Sequence, residues 1–83
     1  MPRPLYIIAA DIYKNWPRAG LAALPYLHAM RHLNTLSDSF GQDSAQTIVL
    51  YFLSNAQNWR GEEARRIKSE LKDLLKTSGY EGI

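Results

Sequence analysis

Asp43-Ser-Ala-Gln-Thr-Ile-Val-Leu-Tyr-Phe-Leu-Ser-Asn-Ala-Gln-Asn-Trp59 is the stretch on which the fold turns. Within it Ala45, Ile48, Val49, Phe52, Leu53, Ala56 and Trp59 recur at steps of three and four. That spacing stacks them on one side of a helix about four turns long. Asp43 and Gln46 have capping-box spacing, with Asp in place of the usual Ser or Thr, so the helix is predicted to start there and to form the centre of the core. A rival reading makes Thr47-Ile-Val-Leu-Tyr-Phe52 a buried strand, since those residue types favour sheets. The length of the periodic run, its capping signal and the lack of a partner strand elsewhere favour the helix.

Toward the carboxyl end, Trp59-Arg-Gly61 leads into Glu62 to Lys76, where Ala64, Ile67, Leu71, Leu74 and Leu75 share one face and charges fill the others. Glu62 and Glu63 suit the amino end of such a helix and Lys76 its carboxyl end. Glu62 with Arg66, and Arg66 with Glu70, are four apart and predict ion pairs; Ser78-Gly79 should stop the helix. Toward the amino end, Ser37-Asp-Ser-Phe-Gly-Gln42 collects turn-forming residues, and Gly41 can take the positive φ of a tight reversal. Before it, Pro25 reads as a first-turn proline. Tyr26, Ala29, Met30, Leu33 and Leu36 follow on one face, with Leu27 at its margin, so this helix is predicted to run to about Leu36. Pro4 opens another helix through Leu5, Ile8, Ala9, Ile12 and Trp16. Pro17 ends it, and Arg18-Ala-Gly20 makes the connection. With no repeat, linker or hairpin signal, the chain reads as all-α: one domain over residues 1–83, a small bundle of three to four helices.

At 83 residues there is room for one core, which buries only about 60% of the unfolded surface or a little more. No cysteine is present, so neither a disulfide nor a thiolate metal site can brace it, and self-association would help. Hydrophobic residues at 46% and charged residues at 22% make a globular balance, not that of a disordered segment. A net charge of +2 is too small to imply nucleic acid by itself. Asp11 and Lys14 interrupt the apolar start before a secretory core is complete, and the longest apolar run, Ile48 to Leu53, is far too short to span a membrane. The expected location is the cytoplasm, with no membrane partner.

Few residues suggest catalysis. His28 and His32 are four apart and would share a side of a helix, but Ala29 stands where a zinc protease would place its glutamate. They read as two partly exposed helix histidines, and no metal or cofactor is expected. Asp11, Asp38 and Asp43 are scattered, and no glycine-rich phosphate loop occurs, so the reading is non-enzymatic.

More informative is the junction from Asn55 to Arg66. Asn55, Asn58, Trp59, Arg60, Arg65 and Arg66 bring together hydrogen-bond donors, a stacking surface and permanent positive charge. Beside them the amino end of the last helix could dock a phosphate or carboxylate. The structural alternative has Trp59 in the core, Asn58 capping the last helix, Gly61 turning the chain and the arginines paired with Glu62, Glu63 and Glu70. Arg65, Lys68, Lys72 and Lys76 form a positive stripe on which nucleic acid could lie. Glu62, Glu63, Glu70 and Asp73 on the same helix make a simple solvated face the commoner explanation. Candidate binding residues are therefore Asn55, Asn58, Trp59, Arg60, Arg65, Arg66 and Lys68. Tyr6, Tyr13 and Tyr51 fall beside the predicted core faces, where uncovered apolar surface suits a protein interface.

Pro25-Tyr-Leu-His-Ala-Met30, the Asp43 to Ala56 stretch and Trp59-Arg-Gly-Glu-Glu-Ala-Arg-Arg-Ile-Lys-Ser-Glu-Leu-Lys72 together resemble a group of small bacteriophage and prophage proteins of unassigned function. The likeness excludes both ends of the chain. It implies expression in a bacterial host cytoplasm during infection and action by binding a host component, and it carries over no catalytic residue. The expected function is that of a small helical binding protein acting on a host protein or through self-assembly as a homo-oligomer. A nucleic-acid or nucleotide-phosphate binder using Trp59 to Lys76 is the alternative.

Overall fold

A computed structural model describes residues 3–77. Its elements are α1 (Leu5–Asn15), α2 (Leu24–Met30), β1 (Ser39–Phe40), β2 (Asp43–Ser44), α3 (Ala45–Ser54) and α4 (Glu62–Thr77). The domain is all-α apart from this hairpin of two two-residue strands, and Thr47 to Phe52 lies inside α3. α1 packs on α2 and α4, and α3 packs on the same two, so the four helices close into a ring. Ile8, Ile12, Leu27, Met30, Val49, Phe52, Ile67, Leu71 and Leu75 fill the ring and are fully buried.

The helices differ from their predicted bounds for local reasons. α2 ends at Met30, not near Leu36, although Leu33 stays buried. Beyond Met30 the backbone turns so that the carbonyls of Leu33 and Asn34 accept the N–H groups of Tyr6 and Leu5, each at 2.9 Å. Pro4, the N-cap of α1, has no acceptor side chain, so the first two N–H groups of α1 are satisfied by this distant segment. Leu27, expected at the margin of the core, is fully enclosed.

Ser44, not Asp43, caps α3: its hydroxyl accepts from the Thr47 N–H at 3.2 Å. Asp43 is held in the hairpin, opposite Phe40, with Ser39 opposite Ser44. Gly41 turns this hairpin at φ 64°, and no non-glycine residue described has positive φ, which suits a two-residue turn with glycine first. Asp38 organises the approach. Its carboxylate accepts from the N–H groups of Asn34 and Thr35, at 2.8 and 3.1 Å, and its carbonyl accepts from Ala45. The Thr35 and Asn34 bonds hold its carboxyl below the ordinary aspartate pKa.

α3 also ends early, at Ser54, because the Asn55 amide side chain donates to the Tyr51 carbonyl at 2.8 Å and occupies the helix end. Ala56 and Trp59 keep their predicted burial from within the following turn. Gly61, at φ 114°, is where α4 begins, and Thr77 closes the described part by donating to the Asp73 carbonyl. The Ser78-Gly79 stop lies outside the described residues. Among the described residues no helix is long and apolar enough to cross a membrane.

Candidate functional site

At about 100° per residue, the buried stripe of α4 leaves two flanks. Ala64, Ile67, Leu71 and Leu75 form the stripe. Glu63, Arg66 and Glu70 lie on the flank that faces α1, and Lys68 and Lys72 on the flank that faces α3. The two signs that seemed interleaved in sequence are thus largely separated by the core contact.

The charged groups of the α1 flank pair with one another. Asp11 accepts from Arg3 at 3.2 Å, from Arg66 at 3.1 Å and from the Asn15 amide at 2.7 Å. Arg66 also donates to Glu63 at 2.6 Å, and Arg3 grips Glu70 with two bonds of 2.7 and 2.9 Å. Burial opposes the Asp11 charge, but the hydrogen bonds from Arg66 and Arg3 outweigh it and hold the carboxyl below its usual pKa. The Glu70 bond, against some desolvation and with help from Asp11, makes Arg3 harder to deprotonate. The expected Glu62–Arg66 and Arg66–Glu70 pairs do not form, because Asp11 and Glu63 take Arg66 while Arg3 takes Glu70.

On the α3 flank, Trp59 is 4% exposed and stacks on Trp16, with ring centroids 5.2 Å apart and planes 8° from parallel. Trp16 in turn meets the edge of Phe52. Lys68 lies over the Trp59 ring, its Nζ 5.9 Å from the centroid, and donates to the Trp59 carbonyl at 2.6 Å. Burial first, then Lys72 and Arg60, lower the Lys68 pKa. Between α3 and α4 is an open groove of about 430 Å³, lined by Leu50, Leu53, Ser54, Gln57, Lys68 and Lys72. Leu50 and Leu53 pack half-buried against the core and make its apolar floor.

The seven candidate residues therefore part company. Trp59 is a core residue that braces Lys68, and Asn55 closes α3. Asn58 is exposed, and the expected cap on α4 falls instead at Gly61, whose carbonyl accepts the first bond of that helix, from Arg65. Arg66 belongs to the α1 flank. Arg60 and Arg65 are exposed and form no ion pair among the described residues. Glu62 and Glu63 occupy the first turn of α4, so its positive end already faces carboxylates.

The histidines do not share a helix face. His28 is in α2 and stacks on Tyr13, over which Arg31 also lies, whereas His32 falls beyond the helix and stacks on Phe40 at 5.3 Å. No group of three or more potential metal ligands occurs among the described residues. Tyr6 and Tyr51 are about half exposed, and Tyr51 meets Tyr26 edge to face at 5.5 Å. Tyr13 is half-buried, with its hydroxyl enclosed and unbonded. Sequence reasoning missed the Trp16–Trp59 pair, the Arg3 clamp and the groove. Leu50 and Leu53, three apart at the margin of the α3 core face, were a usable signal for the groove; nothing local to Arg3 foretold its partners. Comparisons with protein-family models, curated proteins and solved structures found no match.

Proposed function

We propose that this chain is a small non-enzymatic binding protein that works by contact with another protein, phage-encoded and acting in the cytoplasm of a bacterial host. The observation that carries the reading is the amount of large apolar surface left outside a closed core. Tyr6, Ile7, Leu21, Phe40 and Tyr51 are all exposed, Leu21 by 86%, while the described core contains no polar or charged residue. Large apolar side chains left in solvent favour protein contacts. The ionisable groups with displaced pKa values have structural explanations: Arg3, Asp11 and Arg66 clamp α1 to α4, Asp38 organises a turn and Lys68 is anchored on Trp59. The phage origin rests on the likeness of the three stretches quoted above. Homo-oligomer formation through such exposed apolar side chains belongs to this reading.

Nucleic acid or a phosphorylated ligand is the second reading, favoured by the cluster of Arg60, Lys68 and Lys72. Affinity capture from bacterial lysate, with and without nuclease, separates them. A protein partner retained after nuclease treatment supports the first. Loss of all captured material with nuclease supports the second.

A further inference from the structure

Charged groups are paired on one flank of α4 and not on the other. Toward α1, Asp11, Glu63 and Glu70 are matched by Arg3 and Arg66 within 3.2 Å. Toward α3, Lys72 and Arg60 both oppose the charge of Lys68, and none of the three has a carboxylate partner among the described residues. Lys68 and Lys72 line the groove floored by Leu50 and Leu53, and Arg60 stands near enough to Lys68 to oppose its charge. We propose that this groove receives an acidic amphipathic helix of a protein partner, with its apolar edge on the two leucines and its carboxylates on Lys68, Lys72 and Arg60. The proposal rests on the protein-binding reading and specifies the partner's chemistry.

The leucines are three apart on α3 and the lysines four apart on α4, so apolar floor and charged rim run side by side at the repeat of a docking helix. A carboxylate beside Lys72 would relieve a repulsion that the fold leaves standing. Lys68 is already oriented by the Trp59 carbonyl, so little side-chain freedom is lost when it is engaged. Nucleic acid fits less well: Trp16 and Lys68 cover the indole, leaving no stacking face there, and the leucine floor offers nothing to phosphate.

The test uses a fluorescent peptide of about 16 residues with leucines at every third or fourth position, glutamates flanking that leucine edge and alanines elsewhere to favour a helix. Its control carries lysines in place of the glutamates. Fluorescence anisotropy should show saturable binding of the acidic peptide only. Lys72→Glu should weaken it about tenfold or more, while Arg18→Glu, the same charge change in the exposed α1–α2 turn, should leave it within about twofold. Lys72 is exposed, so its variant keeps the fold. Equal binding of the two peptides, no binding of either, or equal affinity in the two variants overturns the groove assignment. Nuclease-treated lysate captured on both variants distinguishes the consequences. A protein retained equally by both leaves the protein-binding reading standing and removes the groove. Capture that vanishes with nuclease, joined to Lys72-dependent binding of an oligonucleotide, removes both.

Discussion

Trp59 and Asp11 hold the domain by different physics, and each is testable alone. Trp59 is buried between Trp16 and Lys68, so Trp59→Ala should cost about 3–5 kcal/mol, measured by denaturant unfolding, and should disturb the groove with it. Asp11 acts through its charge. Its carboxyl is held below the unfolded value, so the stability it supplies is present at neutral pH and is lost as pH falls below about 4 and through the folded pKa. Asp11→Asn should lower stability at pH 7 by at most about 1 kcal/mol, because the pairs are partly exposed, and should flatten the acid limb of the stability profile. An unchanged acid limb in the variant would mean that the Asp11 bonds contribute nothing to folding. Burial of Trp59 was legible from its place in the periodic run, whereas the Asp11 bonds were not: Arg3 and Arg66 lie 8 and 55 residues away, and no local pattern links them.

At the scale of elements, the helix cores were legible and the helix ends were not. Apolar spacing located the buried faces of α1, α3 and α4, because burial on one side of a helix imposes that period. The ends were decided by bonds that spacing does not encode. α2 stops so that Leu33 and Asn34 can serve α1; α3 starts one residue late because the hairpin holds Asp43. The hairpin itself was visible only as turn-forming composition around Gly41. This yields a paired prediction. Ser44→Ala should destabilise by about 1 kcal/mol through loss of its bond to Thr47, while Asp43→Ala should be nearly neutral. Thermal melts of the two variants check it, and the reverse order would restore the capping box at Asp43 and Gln46.

For the whole molecule, closing four helices into a ring places the two flanks of α4 in different surroundings. One flank is knitted to α1 by arginines, and the other borders an open groove. The candidate residues read from sequence straddled that division, because Arg60, Arg65, Arg66 and Lys68 are neighbours in the chain but not in their environments. Only the fold separates those that brace the domain from those that meet solvent. Melting temperature and capture of the acidic peptide, measured on the same samples of Arg66→Glu and Lys72→Glu, test this directly. Arg66→Glu should lower the melting temperature, since it sets a third carboxylate beside Asp11 and Glu63, and should leave peptide affinity within about twofold at a temperature where it is folded. Lys72→Glu should melt like the unaltered chain and lose the peptide. The account is contradicted if both variants lose binding only in proportion to their lost stability, or if Lys72→Glu destabilises while Arg66→Glu does not.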